Sequence, residues 1–106
     1  METGCVLVCT TVQNEQDAAK IASTLVSERL AACVNVSAEM ESTYRWEGVV
    51  NTECERQLII KTTQDRLSQL RARLHELHPY ELPEFITLDI TGGSENYLRW
   101  IRASTE

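Results

Sequence analysis

The sequence predicts an α+β fold, a ferredoxin-like βαββαβ sandwich with a long central hairpin and a short C-terminal helix. Strand-like and helix-like apolar patterns follow one another in the order β-α-β-β-α-β-α along the 106 residues. In the middle of the chain, a two-residue apolar alternation runs through residues 34–46, and a turn signal and a second extended segment follow it. A doubly wound parallel sheet is the alternative, but it does not accommodate a long antiparallel hairpin at its centre.

The first strand and the first helix have clear local signals. Residues 5–12 begin as a continuous apolar run, which is typical of a strand buried on both faces. Asn14 is a suitable N-cap, and Glu15 and Asp17 follow in the first turn, where the helix dipole favours acidic side chains. Apolar residues then recur at helical spacing and predict a helix of about 16 residues. These are Ala18, Ile21, Ala22, Leu25, Val26 and Leu30.

The central hairpin has the clearest pattern in the sequence. The even positions from 34 to 46 are Val, Val, Ala, Met, Ser, Tyr and Trp, whereas the odd positions between them are polar. This alternation predicts one uninterrupted strand with a single apolar face. Glu47 and Gly48 mark a turn, and residues 49–62 are the expected returning strand of the hairpin.

The second half of the chain completes the predicted order. Thr63 or Asp65 is the expected cap of a second helix, and Pro79 ends that helix because proline cannot continue it. Residues 85–91 alternate as a last strand, and Ser94 is the expected cap of the short C-terminal helix. One stripe of the second helix is made of leucines, namely Leu67, Leu70, Leu74 and Leu77.

The length of the hairpin predicts self-association. A domain of this size has a radius of gyration near ~13 Å, whereas a strand over residues 34–46 spans roughly 43 Å. The hairpin therefore overhangs its own domain and carries Met40, Tyr44 and Trp46 on one face. Soluble monomers avoid an exposed apolar ribbon with open edges. We expect another copy of the chain to cover it; the alternative is that the ribbon bends back onto its own sheet.

Composition limits the classes of partner and compartment. The chain has 16 acidic and 10 basic residues, a formal charge of −6, and reads as one domain over residues 1–106. The acidic balance argues against nucleic acid or a membrane surface as the partner, because either needs a clustered basic face. We expect no signal peptide and no membrane span. The four cysteines then indicate a reducing cytoplasm rather than disulfides.

Five motifs in register make the chain resemble the CutA family of divalent-cation tolerance proteins. The motifs run in the family's order and cover essentially the whole chain. The resemblance implies a cytoplasmic homotrimer of ferredoxin-like subunits with interwoven hairpins, similar in architecture to the PII signalling proteins. The matching segments are LAACVN at 30–35, YRWEG at 44–48, LIIKTT at 58–63, HPYELPE at 78–84 and YLRWI at 97–101.

The resemblance also implies a link to heavy-metal tolerance and, in some members, copper(II) binding. The family's copper-linked positions are a cysteine on the first strand, which matches Cys9, and two adjacent histidines before the proline. The second histidine matches His78, but Leu77 stands at the first and cannot bind a metal. His75 is one helical turn away and is a candidate substitute. A thiolate with an imidazole suits copper or zinc.

A second hypothesis is a trimeric signalling or scaffold module, with clefts between subunits that bind a small anionic ligand or a protein partner. The expected lining of such a cleft is the hairpin tip, with Tyr44, Trp46 and Glu47. The cationic side chains of Lys61 and Arg56 are available to hold an anion. The purely structural alternatives are that the aromatic residues pack in an interface and that Lys61 is a solvated lysine at a strand edge.

Catalysis is not expected from this sequence. It has no GxSxG, P-loop, HExxH or dinucleotide-binding motif. Cys9 and His78 would form a nucleophile–base pair only if the thiol were exposed and ionised. A position on a buried strand argues against that state.

Overall fold

The computed structural model describes residues 2–106 and has the predicted ferredoxin-like topology. All strand pairs are antiparallel, in the sheet order β2-β4-β1-β5, and β3 pairs with the outer half of β4. None of the helices in residues 2–106 is long and apolar enough to cross a membrane. The elements are β1 Cys5–Val12, α1 Glu15–Ser27, β2 Cys33–Val36, β3 Met40–Trp46, β4 Val49–Thr63, α2 Leu67–Leu77, β5 Ile86–Asp89 and α3 Glu95–Ser104.

The main core lies between the sheet and helices α1 and α2. Alternate residues of β1 and β4 face these helices, and the leucine stripe of α2 completes the layer, as the apolar patterns predict. Eleven buried residues form this cluster, which is contiguous as expected for one core. They are Val8, Val12, Ala18, Ile21, Leu25, Leu30, Ala31, Leu58, Ile60, Leu70 and Leu74.

Three local signals are confirmed by the geometry. The Asn14 side chain accepts a hydrogen bond from the N–H of Asp17 at 2.7 Å and caps α1. The Ser94 hydroxyl accepts one from the N–H of Tyr97 at 3.4 Å and caps α3. Glu47 and Gly48 form a two-residue turn with positive φ angles of 49° and 80°, which match the right-handed twist of a hairpin.

The helix boundaries differ from the prediction in two places. Helix α1 ends at Ser27, and Arg29 has a positive φ of 60° that ends the helical path, so Leu30 reaches the core from a loop rather than from the helix. A 3-10 turn over Gln64–Arg66 precedes α2, and Thr63 makes no side-chain capping hydrogen bond. The periodicity of leucine fixed the position of α2, but it does not reveal how the helix begins.

The prediction of one uninterrupted strand over residues 34–46 is wrong. Val36 pairs with Leu58, and the next pair is Met40 with Glu55, so three residues of one strand face two of the other. This one-residue bulge reverses which face each side chain takes. Val34 therefore packs against the helix-side core, whereas Met40, Tyr44 and Trp46 project from the opposite face.

The opposite face of the sheet, here called the open face, is only partly covered. Leu98 and Ile101 of α3 pack with Cys5 and Ala32 at one end of it. Beyond them the open face carries Cys9 and its cross-strand neighbours. The β3–β4 hairpin, here called the ribbon, extends past the other end and contributes to a long axis of 44 Å against 27 and 24 Å for the other two.

Candidate functional site

A groove of about 810 Å³ lies between the ribbon and the loop after α2, and it is here called the acidic groove. Its walls combine aromatic side chains with four carboxylates, and among the residues 2–106 that line it there is no lysine, arginine or histidine. Its lining comprises Thr11, Gln13, Met40, Ser42, Tyr44, Trp46, Glu53, Glu55, Gln57 and residues 80–86.

A short hydrogen bond joins the two walls of the acidic groove. The hydroxyl of Tyr80, in the loop, donates to Oε2 of Glu55 on β4 at 2.6 Å. Glu55 is only 8% exposed, so this bond satisfies a carboxylate that burial would otherwise penalise. Burial and the bond to Glu55 both raise the pKa of Tyr80, which keeps the phenol protonated as the donor.

Glu84 and Cys9 lie next to this pair. Burial, and then the charge of Glu55, raise the pKa of Glu84, and its Oε2 is buried without a hydrogen-bond partner. Burial, and then the charge of Glu84, raise the pKa of the Cys9 thiol. The Glu84 carboxylate therefore lies close to both Cys9 and Glu55. The groove therefore concentrates negative charge without a counter-charge from its own lining.

His78 is buried at the end of α2, with 7% of its surface exposed. Nε2 is 2.8 Å from the carbonyl oxygen of Thr11 on β1, and Nδ1 accepts the N–H of Tyr80 at 3.2 Å. The imidazole also packs edge-on against the Tyr80 ring, with centroids 4.7 Å apart. Burial lowers the pKa of His78, partly offset by the Thr11 carbonyl, so the ring is favoured in its neutral form.

The described part of one chain, residues 2–106, does not form a complete metal site. Within residues 2–106, no three side chains of His, Cys, Asp or Glu lie close enough to hold one ion. His75 is exposed, and its Nδ1 lies 3.0 Å from the carbonyl oxygen of Arg71. Leu77 packs against the main core. Cys9 and His78 remain the predicted copper ligands. Both nitrogens of His78, however, already have hydrogen-bond partners.

The predicted cleft residues do not converge within one chain. Tyr44 and Trp46 line the acidic groove, whereas Glu47 is exposed in the turn. Lys61 lies near the other end of β4, where its Nζ donates to the hydroxyl of Tyr97 at 3.3 Å. Arg56 belongs to the helix side and reaches the carbonyl oxygen of Ser37, so it does not join Lys61 in an anion site.

Sequence reasoning missed the convergence of Glu55, Tyr80 and Glu84. A local signal existed for the first, because Glu53 and Glu55 alternate along the returning strand of the hairpin. Glu55 pairs with Met40 and Glu53 with Ser42. This register depends on the bulge, which the sequence pattern does not show. The contact with the loop after α2 is long-range and leaves no periodic trace.

Comparisons with known proteins agree on one family. The family model of the CutA1 divalent ion tolerance protein matches residues 6–104. "Protein CutA, chloroplastic" of Arabidopsis thaliana is 46% identical over 94% of this chain, which spans 55% of that protein, or about half its length. The "Divalent-cation tolerance protein CutA" of Thermus thermophilus is 44% identical, over 93% of this chain and 96% of that one.

A solved structure leads to the same assignment. The divalent cation tolerance protein of Thermus thermophilus superimposes with a TM-score of 0.94 at 43% sequence identity, over 96% of this chain and 99% of that one. The family model, the Thermus thermophilus sequence and its solved structure each match nearly the full length of this chain. The chain therefore belongs to the CutA1 divalent ion tolerance protein family.

Proposed function

We propose that this protein supports divalent-cation tolerance as a cytoplasmic homotrimer that binds copper(II). The family match supports the general role, since the relatives from Thermus thermophilus and Pyrococcus horikoshii carry the name "Divalent-cation tolerance protein CutA". The plant relatives are named as chloroplastic, and for this chain we propose the cytoplasm. The trimer and copper(II) rest on the resemblance together with the two features described next.

The uncovered open face is the observation that carries the assembly. On β5, Ile86 is 51% and Leu88 48% exposed, and on the ribbon Val49, which pairs with Trp46, is 59% exposed. Burying such side chains stabilises an assembly by roughly 1.5–3 kcal/mol each. The outer strands also leave unpaired backbone edges. We propose that other copies of the chain cover both features, and a total of three copies is what the family resemblance implies.

The chemistry around Cys9 supports copper(II) as the ligand. The Cys9 thiol is a soft donor on the open face, and burial, followed by the charge of the Glu84 carboxylate, raises its pKa. A divalent cation at this position would stabilise the thiolate and the carboxylate together, because it supplies the counter-charge that the groove lacks. Since residues 2–106 of one chain do not complete a ligand set, we propose that neighbouring subunits contribute the remaining donors.

A metal titration tests this proposal. Copper(II), zinc(II) and nickel(II) are titrated against the wild-type protein under anaerobic conditions, beside Cys9→Ser and, as the matched control, Cys54→Ser, which removes an exposed thiol on the ribbon. We expect copper to bind more tightly than the others, with roughly micromolar affinity or weaker. Cys9→Ser should lose at least about tenfold, and Cys54→Ser should not. Equal affinities in all three proteins would contradict the site.

A signalling or scaffold role is the second candidate, and the acidic groove favours it. Its volume of about 810 Å³ falls in the range of small-molecule pockets, and its walls are rich in aromatic side chains. If the intact trimer binds no copper, this role is the better proposal. Lys61 and Arg56 do not converge in one chain. A small anionic ligand would therefore need a cationic side chain from a neighbouring subunit.

We propose that Cys9 binds metal and that neither Cys9 nor His78 is catalytic. A nucleophilic cysteine needs a lowered pKa and a free base beside it. The pKa of Cys9 is raised, and both nitrogens of His78 have backbone partners. These features support a nonenzymatic role.

A further inference from the structure

We propose that His78 is a positioning residue of the acidic groove rather than a metal ligand. Its neutral imidazole ties the end of β1 to Tyr80 and thereby holds the Tyr80 phenol on Glu55. This inference rests on the groove geometry and does not depend on the copper or trimer proposals.

The hydrogen bonds fix the proton on the ring. The backbone N–H of Tyr80 is a donor only, so Nδ1, at 3.2 Å, accepts and carries no proton. The Thr11 carbonyl oxygen is an acceptor only, so Nε2, at 2.8 Å, carries the proton and donates it. A neutral imidazole satisfies both partners, whereas an imidazolium would set its Nδ1 proton against the Tyr80 N–H.

This arrangement conflicts with metal binding. A metal ion needs a ring lone pair, but the lone pair of Nδ1 is engaged and Nε2 is protonated. Turning the ring toward a metal would break both hydrogen bonds of a residue that is only 7% exposed, and would leave two partly buried backbone groups without these partners. Leu77, at the family's other histidine position, packs in the core and supplies no second imidazole.

The contacts also identify Tyr80 as the residue that the His78 ring holds in place. His78 ends α2 in an extended conformation, and its ring reaches across to β1 instead of bonding the last carbonyls of its own helix. Tyr80 is held by the backbone hydrogen bond and by edge-on packing at 4.7 Å. From there the phenol reaches Glu55. A continuous chain of contacts therefore connects Thr11 to the buried carboxylate of the groove.

Two conservative variants separate the two bonds. In His78→Asn the side-chain oxygen falls near the Nδ1 position and keeps the acceptor for Tyr80, whereas in His78→Gln the side-chain N–H falls near Nε2 and keeps the donor to Thr11. Each should retain part of the thermal stability that His78→Ala loses. His75→Gln is the matched control, since that ring is exposed.

Nitrogen-15 NMR of the histidine rings is the decisive readout, and the His75→Gln background leaves one ring to observe. We expect the neutral tautomer with its proton on Nε2 at pH 7, unchanged by saturating zinc(II), and copper affinity within about twofold of wild type in His78→Gln and His78→Asn. A ring with its proton on Nδ1, a zinc-induced shift of either nitrogen, or a tenfold loss of copper affinity in both folded variants would overturn the proposal. If no metal binds, the tautomer alone decides.

Discussion

The phenol of Tyr80 donates a 2.6 Å hydrogen bond to Oε2 of Glu55 and joins the loop after α2 to the strand that forms the ribbon. Tyr80→Phe should therefore destabilise the protein by about 1–3 kcal/mol, because it leaves a buried carboxylate without this donor. Denaturant unfolding at fixed protein concentration measures the change. Tyr97→Phe is the control, since Tyr97 is about half exposed and its hydroxyl accepts a hydrogen bond from Lys61. Equal losses in the two variants would rule out a special role for the Tyr80–Glu55 bond.

The bulge between β2 and β3 predicts the effect of a deletion. Removing Ala38 leaves two residues on each strand between the Val36–Leu58 and Met40–Glu55 pairs, so the strand becomes regular while Met40, Tyr44 and Trp46 keep their pairing and their face. We therefore expect the deletion variant to keep the groove wall and to assemble as the wild type does in sedimentation velocity. Ala38→Ser keeps the chain length and should also assemble normally. A deletion variant that dissociates, while Ala38→Ser assembles, would show that the bulge itself is needed for the interface.

The sequence was informative where the cause is local. Asn14, Ser94 and the Glu47-Gly48 turn act on neighbouring backbone, so residue type and spacing are enough to place them. The strand alternation failed at residues 37–39 because apolar residues occupy even positions on both sides of the bulge, and a pattern in sequence does not record a change of face.

The groove depends on register and on a long-range contact. Glu84 comes from a loop, Cys9 from β1 and Glu55 from β4, and their proximity follows only from how the strands pair. The sequence marked Cys9 and His78 as chemically interesting residues. It did not indicate that the two nitrogens of His78 would be taken by Thr11 and Tyr80.

The raised pKa of Glu84 predicts a pH dependence of stability. Burial and the charge of Glu55 raise this pKa above its usual value, so in that pH window the folded protein binds more protons than the unfolded chain. The contribution of Glu84 to the free energy of unfolding should therefore fall as pH rises through the window. Glu84→Gln should remove this slope in denaturant unfolding between pH 4 and 7. Glu81→Gln, exposed in the same loop, should keep it; parallel profiles for wild type and Glu84→Gln would contradict the assignment.

The exposed Val49 of the ribbon predicts a charge-sensitive interface. Val49→Lys places a charge on a side chain that is 59% exposed in one chain, that lies beside Trp46 and that we expect a neighbouring copy to cover. The assembly should weaken by at least about tenfold, because burying an unpaired charge is costly. Val26→Lys, on the exposed side of α1 and 42% exposed, should leave assembly unchanged. Assembly constants that agree for both variants and wild type would place the ribbon outside the interface.

Sedimentation equilibrium of the wild-type protein at low micromolar concentration tests the central claim most directly. A homotrimer that covers the open face and the ribbon should give about 36 kDa, three times the 12.0 kDa chain. The mass should stay constant on dilution, as expected for an assembly that buries an apolar sheet face. A stable species of 12 kDa, with the open face and ribbon left in water, would contradict the account.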